Sequence, residues 1–310
     1  MTFTIIIDTA RRLSLGVSAI SLALAGPAFA QEEVAPAPAA EATVASPALW
    51  KVADEDTTIW LFGTVHALPT TIEWYRGPIA TALGGSDTLV TEIEMTPATA
   101  TTMQQIVMTK AILPDGQTLR GLLDDDQRAA YEAAMTKLEL PVAAFDRFEP
   151  WYGAMTLAML PLLKQGYSLD AGAEQVLEAQ AGETIGRGAL ETVEEQLELF
   201  DGLPQDAQVE FLMETVDGID DIKEMLDAMV AEWAEGDADA LADLMNEGMD
   251  DPVLAERLLY ARNANWAQWI DERLEAPGTV FVAVGAGHLA GENSVQEKLE
   301  DLGIETERVQ

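Results

Sequence analysis

The stretch TVFVAVGAGH, residues 279–288, determines the class of fold that this chain adopts. Its first six residues form a continuous apolar run, which is typical of a β-strand buried on both faces of a sheet. The run passes directly into a Gly-x-x-His motif, Gly285 to His288. Glycine at the end of a strand lets the backbone turn, so that the next side chains stand above the carboxyl edge of the sheet. We therefore expect an α/β fold with its site at that edge, where open α/β sheets bind ligands.

The same pattern occurs near the start of the chain. The β-rich apolar run TTIWLF, residues 57–62, leads into a second Gly-x-x-His motif, Gly63 to His66. A short helix at 75–83 and an alternating strand at 88–95 follow it. Strand, crossover and strand predict a βαβ unit with parallel strands.

Between the two ends the sequence is mainly helical in pattern. Helix-like spacing or composition covers residues 101–113, 124–138, 150–165, 171–181 and 204–269, the last with breaks near Gly236, Gly248 and Asp251-Pro252. Residues 184–189 have the composition of a strand, and Thr192 with Glu195 has the spacing of a helix capping box. A helix at 294–302 and a strand at 304–309 complete the C-terminus. The predicted fold class is α/β, with βαβ-like units at both ends forming a mixed central sheet and a large helical block inserted between and around them.

The N-terminus has the pattern of a signal for export. Two basic residues, Arg11 and Arg12, precede an apolar stretch at 13–26 and then Ala28-Phe-Ala30, a pattern that a signal peptidase cuts. The sequence therefore predicts a signal peptide at 1–30 and an exported protein, periplasmic in a Gram-negative cell or secreted. The apolar stretch is too short to span a bilayer comfortably, so we expect no stable membrane insertion after cleavage. An Ala/Pro/Glu-rich flexible linker is predicted at 31–48 and a single large domain at 49–310.

Charge and composition exclude several classes of function. The formal net charge is −37, which would repel nucleic acid and anionic membrane surfaces. The chain contains no cysteine, which excludes a disulfide framework, a cysteine nucleophile and a thiolate metal site. Neither a Gly-x-Ser-x-Gly elbow, a P-loop nor a dinucleotide fingerprint is present.

The two Gly-x-x-His motifs contain every histidine of the chain, His66 and His288. Glu92 and Glu94 are two apart on the predicted strand 88–95, so they should project from one face near its carboxyl end, with Glu92 the better candidate for a ligand. Two imidazoles and a carboxylate are a common ligand set for Zn, Mn, Co or Fe. An ion held there would activate water near neutral pH, and Glu191, just before the Thr192 helix, is a candidate general base.

Many of these residues together resemble the TraB/GumN family, which is similar to the Tiki metalloproteases and more distantly to erythromycin-esterase-like and ChaN-like proteins. The resemblance covers the chain from Leu49 onward. It is carried by LWKV (49–52), segment 57–66, Leu68-Pro69, segment 89–94, LETVEEQ (190–196), Glu256-Arg257, Arg262-Asn263, Trp266 and VAVGAGHL (282–289).

The resemblance implies a divalent-metal site at His66, His288 and Glu92, with manganese or cobalt favoured over zinc or iron. It also implies that Glu191, Arg262 and Asn263 support the active site. The function expected from residues and resemblance together is an exported metal-dependent hydrolase, with a peptide or small molecule as its substrate. Two alternatives stay open: a non-catalytic periplasmic metal- or haem-binding protein, and a metal-independent esterase-like hydrolase.

Overall fold

A computed structural model describes residues 42–94, 96–246 and 252–310. The predicted signal peptide and the linker up to residue 41 lie outside this part of the chain. Within the described residues, no helix is both long and apolar enough to cross a membrane. The end of the predicted linker belongs to the fold, because Thr43–Val44 pairs with Ile72–Glu73 and Ala45 is buried.

Along the chain, a segment rich in strands is followed by a mainly helical segment and then by a C-terminal segment that returns to the sheet. The strands are β1 (Thr43–Val44), β2 (Leu49–Ala53), β3 (Thr57–Thr64), β4 (Leu68–Pro69), β5 (Ile72–Glu73), β6 (Thr88–Thr91), β7 (Tyr167–Ser168), β8 (Gly186–Ala189), β9 (Gly278–Gly285) and β10 (Glu307–Arg308). The helices are α1 (Gly77–Gly84), α2 (Pro97–Lys110), α3 (Leu119–Leu122), α4 (Asp125–Lys137), α5 (Pro150–Lys164), α6 (Ala173–Ala181), α7 (Val193–Asp201), α8 (Gln205–Asp217), α9 (Ile222–Glu235), α10 (Ala238–Asn246), α11 (Pro252–Ala255), α12 (Ala261–Leu274) and α13 (Val295–Asp301).

The central sheet has six strands in the order β10-β2-β3-β9-β6-β8. The four neighbouring strands β3, β9, β6 and β8 are parallel to one another. The other two are antiparallel: β2 to β3, and β10 to β2. The mixed α/β architecture with a helical block between its ends is thus confirmed. The strand β2 was not predicted, and β9 lies between β3 and β6, which therefore are not neighbours.

The central strand β9 is covered on both faces, as its continuous apolar run predicts. Phe281 and Ala283 pack into one hydrophobic cluster with Phe62 of β3, while Val280 and Val282 pack into a second cluster on the opposite face. A third cluster lies within the helical block, between α2, α4, α5, α7 and α8. Burial on both faces places β9, and the motif that follows it, at the middle of the sheet.

Several predicted boundaries are wrong. The strand predicted at 88–95 ends at Thr91, because the Thr91 hydroxyl donates to the carbonyl of Ile93 at 2.8 Å where the chain turns away. Glu92 and Glu94 therefore follow the strand and do not lie on its face. The C-terminal strand is only Glu307–Arg308, and the helix predicted from Thr101 begins at Pro97.

The helical predictions are mostly confirmed. The capping box of Thr192 and Glu195 begins α7, and a left-handed Gly236 ends α9. An additional break at Gly218, which ends α8, was not predicted. The breaks predicted near Gly248 and Asp251 lie outside the described residues. A π-helical turn, Glu256–Tyr260, precedes α12.

Candidate active site

The two Gly-x-x-His motifs lie side by side at the carboxyl edge of the sheet. β3 and β9 are paired in parallel along their whole length, ending at Thr64 opposite Gly285. The close approach depends on Gly63, since a Cβ atom there would come within 3.0 Å of the Ala286 backbone. The predicted meeting of the two motifs over one edge of the sheet is therefore present in the fold.

His288 is completely buried in the 3-10 turn after β9. Its Nδ1 lies 2.5 Å from Oδ1 of Asn263, whose amide nitrogen donates to the Asn293 carbonyl at 2.8 Å. Because the amide is oriented by that second bond, Oδ1 accepts and Nδ1 carries the proton, which leaves the lone pair on Nε2. Burial and the nearby Arg262 charge lower the pKa of His288 to about 3, so the ring is neutral.

His66 has a different partner, Glu174 in the first turn of α6. Nδ1 of His66 lies 2.7 Å from Oε1 of Glu174. The two atoms are within hydrogen-bonding distance, although the ring N–H does not point straight at that oxygen, so the hydrogen bond is bent. Burial lowers the pKa of His66, but the charge and hydrogen bond of Glu174, together with the Glu92 charge, outweigh burial and raise the pKa to about 8. Glu174 could not be predicted from the sequence, because no spacing or pattern connects α6 with the first motif.

Glu92 is buried just beyond the end of β6 and has donors on both oxygens. Oε1 accepts from the backbone nitrogen of Gly285 at 2.7 Å, and Oε2 accepts from Arg262 at 2.6 Å and from Gln196 at 2.8 Å. Burial alone would raise the pKa of Glu92, but Arg262 and the two histidines hold it down to about 2. Glu92 is therefore an anionic side chain beside His288 and Arg262, and it reaches them from the loop after β6 and not from the strand face that the sequence predicted.

Arg262, on the first turn of α12, connects the other predicted residues. Its guanidinium donates to both oxygens of Glu191 at 2.7 and 2.8 Å, to Glu92, and through Nη1 to Nε2 of His288 at 3.0 Å. The same group stacks over the Trp266 ring at 4.7 Å. Nearby carboxylates raise the pKa of Arg262 despite its burial. The guanidinium is thus fixed by charge-assisted hydrogen bonds in a planar, bidentate geometry.

Glu191 accepts hydrogen bonds from two residues in addition to Arg262. The indole nitrogen of Trp266 donates to Oε1 at 3.1 Å, and Gln196 donates to Oε2 at 2.9 Å. Gln196, on α7, therefore bridges Glu92 and Glu191, and it is a second residue that the sequence analysis did not assign to the site. The Thr192 capping box fixes the start of α7 and so places both Glu191 and Gln196.

The site is almost closed to solvent. The side chain of Arg262 is 6% exposed and that of His288 is 0% exposed, whereas His66 and Glu174 are 15% and 16% exposed. His288 and Arg262 are thus the innermost groups, and the carboxylates Glu92 and Glu191, at 11% and 13% exposed, lie between them and the His66–Glu174 pair in exposure.

A divalent ion fits part of this arrangement. Nε2 of His288 and Oε1 of Glu92 are 3.9 Å apart, a separation that two bonds of about 2 Å to one ion can bridge. Both imidazoles also have Nδ1 against an acceptor, as metal-ligating histidines do, which leaves Nε2 for the ion. Against this, no three His, Asp or Glu residues of the described chain are gathered at ligand distance. Arg262 also occupies Nε2 of His288.

The comparisons with known proteins bear on the family alone. The model of the TraB/PrgY/gumN family matches residues 48–308. No curated protein and no solved structure matches the chain. Because the family model covers nearly all of the folded domain, the chain belongs to the TraB/PrgY/gumN family.

Proposed function

We propose that this protein is an exported, metal-dependent hydrolase that cleaves peptides, with the ion held by His66, His288 and Glu92. One observation supports it above the others: each imidazole presents Nδ1 to an acceptor, Glu174 or Asn263. This arrangement would leave the remaining ring nitrogen of each histidine for an ion and is the usual setting of a metal-ligating histidine. Manganese or cobalt is the preferred ion, and zinc or iron is compatible with the same ligands.

The proposal assigns a binding role to the predicted ligands. A divalent ion bound there would lower the pKa of a water molecule and polarise the scissile carbonyl. His288 is suited to this role because it is neutral at physiological pH and its tautomer is fixed by Asn263. Glu92 supplies a permanent negative charge, and the Gly285 N–H keeps its Oε1 oriented toward His288.

Arg262 would have a second role with an ion bound. Its Nη1 would have to give up Nε2 of His288, while the two oxygens of Glu191 would still hold the guanidinium. The N–H groups so released could stabilise the negative charge that develops on the carbonyl oxygen. Glu191 serves first as the anchor of Arg262. Its second role, as general base, requires one of its oxygens to give up a donor.

A second candidate is a metal-independent esterase-like hydrolase. The pair of His66 and Glu174 favours it, because the carboxylate orients the imidazole, which can accept a proton from water once the ring is neutral, above its pKa of about 8. In that reaction Arg262 would keep the position seen in the structure and stabilise the oxyanion.

Hydrolysis with and without metal distinguishes the two candidates. The mature protein would be stripped with a chelator, reconstituted with Mn²⁺ or Co²⁺, and assayed on a peptide library and on a set of esters. The proposal expects peptide cleavage that is lost on stripping, restored by the ion, and absent from His66→Ala and His288→Ala. The control is Glu178→Gln, which should retain activity. Glu178 lies farther along α6 than Glu174 and pairs with Arg187 of β8. Ester turnover that survives stripping would support the second candidate and contradict the first.

A further inference from the structure

The segment from Tyr167 to Glu174, here called the clamp, holds the backbone of the first Gly-x-x-His motif. β7, at its start, pairs with β4, the strand just after His66. The backbone nitrogen of Ala173 donates to the Val65 carbonyl at 2.9 Å. Gly172 lies against the His66 carbonyl so closely that a Cβ atom would be 2.0 Å from its oxygen. The clamp therefore holds the first motif and the strand after it through three backbone contacts, at Val65, at His66 and along β4.

Glu174, the last residue of the clamp, contacts the imidazole of His66 itself. It lies in the first turn of α6, and its Oε1 is 2.7 Å from Nδ1 of His66. Both side chains are largely buried, so water competes poorly with the carboxylate as a partner for the ring. A carboxylate can only accept from a neutral imidazole, and it therefore selects the tautomer with the proton on Nδ1 and the lone pair on Nε2.

We infer that Glu174 is a positioning residue for His66, which keeps the proton on Nδ1 and directs Nε2 toward Glu92 and His288. This inference rests on the proposed function and adds to it a residue that touches neither the ion nor the substrate. The site would then hold its two imidazoles by different means. A neutral amide fixes the buried His288, and a carboxylate fixes the more accessible His66, whose basicity as a ligand it also increases.

The ring of His66 can be observed directly, because the chain has only two histidines. The mature, metal-free protein would be labelled with ¹⁵N-histidine, and ring nitrogen shifts would be recorded at alkaline pH, where His66 is neutral. His288→Gln assigns the signals. The wild type and Glu174→Gln, which keeps an acceptor oxygen, should show His66 with its proton on Nδ1. Glu174→Leu should shift it toward the other tautomer, and the control Glu178→Gln should match the wild type.

The affinity for Mn²⁺ or Co²⁺, measured by titration calorimetry on the same proteins, is the second reading. Loss of such a partner of a ligating histidine typically weakens metal binding about 10–100-fold. We expect that loss for Glu174→Leu, a smaller loss for Glu174→Gln and none for Glu178→Gln. If the leucine variant does not fold, a measurable loss of affinity in Glu174→Gln supports the inference, and an unchanged affinity overturns it.

The two readings separate the inference from the proposed function. A His66 tautomer that is the same in the wild type and Glu174→Leu would overturn the positioning role, whatever the metal affinity. A wild type that binds neither ion would overturn the metal-dependent function, while the tautomer shift would still establish Glu174 as the residue that orients His66.

Discussion

Oδ1 of Asn263 accepts the Nδ1 proton of His288 at 2.5 Å, in the most buried part of the site. The amide cannot rotate without losing the bond from its own nitrogen to the Asn293 carbonyl. His288 is therefore restricted to one tautomer, with Nε2 as an acceptor for Arg262 or as a ligand for an ion.

Replacing Asn263 should remove the hydrogen bond that restricts His288 to one tautomer. In Asn263→Leu, Nδ1 of His288 loses its acceptor in a fully buried position. Leaving a buried donor unsatisfied costs about 1–3 kcal/mol of unfolding free energy, and metal affinity should fall about 10–100-fold. Urea unfolding and calorimetric titration with Mn²⁺ measure the two effects. Metal affinity equal to that of the wild type would show that Asn263 does not orient His288.

Removing the guanidinium of Arg262 should destabilise the fold. Arg262→Met leaves Glu92 and Glu191 buried without their cation, and breaking a buried ion pair from one side typically costs about 3–5 kcal/mol. The control is Arg147→Met, which removes an exposed pair with Asp115 and should cost less than about 1 kcal/mol. Equal unfolding free energies for the two variants, measured with urea, would contradict the central position given to Arg262.

The buried, neutral His288 should make stability dependent on pH. Burial and the Arg262 charge lower its pKa from 6.5 to about 3. Between these two values the imidazole is protonated in the unfolded chain and neutral in the folded chain. The contribution is fully present above pH 6.5 and is lost as the pH falls toward 3, by at most about 1.4 kcal/mol per pH unit. His66, with its pKa of about 8, titrates outside this window.

The comparison is between the metal-free wild type and His288→Gln, because the titration of the surface carboxylates is common to both. The unfolding free energy of the wild type should fall more steeply between pH 6.5 and 3 than that of the variant. Parallel profiles would mean that His288 is accessible to protons in the folded state.

A methyl group at Gly172 should disturb the clamp. In Gly172→Ala the new Cβ would lie 2.0 Å from the His66 carbonyl oxygen, so α6 must move away from the first motif. Overpacking of this kind costs about 1–3 kcal/mol, and the shift should also reduce metal affinity by withdrawing Glu174. Gly84→Ala, which meets no atom within 4 Å, is the control. Unchanged unfolding free energy and metal affinity in Gly172→Ala would refute the close contact.

Sequence patterns were sufficient for the parts of the site that directly follow the two buried strands. The apolar runs before His66 and His288 predict two buried strands, and the glycines after them predict where the chain turns, so the edge of the sheet that carries the site could be predicted. The position of Glu92 could not, because the Thr91 hydroxyl ends the strand by a local hydrogen bond that leaves no period in the sequence.

The supporting residues were harder to predict, because they reach the site through tertiary packing. Glu174 and Gln196 sit on amphipathic helices whose sequences read as ordinary surface-and-core patterns. What places them is the docking of α6 on the first motif and of α7 beside Glu92. Arg262 and Asn263 were expected only from the family resemblance, and the structure shows them bonded to His288 from consecutive positions of α12.

The most direct test of the account is the metal content of the purified mature protein, measured by elemental analysis beside His66→Ala, His288→Ala and the double variant. The account predicts close to one equivalent of a divalent transition metal in the wild type after incubation with Mn²⁺ or Co²⁺ and removal of free ion. Each single variant should retain far less, and the double variant none. Equal metal content in the wild type and the double variant, with all four proteins folded, would contradict the claim that the two imidazoles hold one ion.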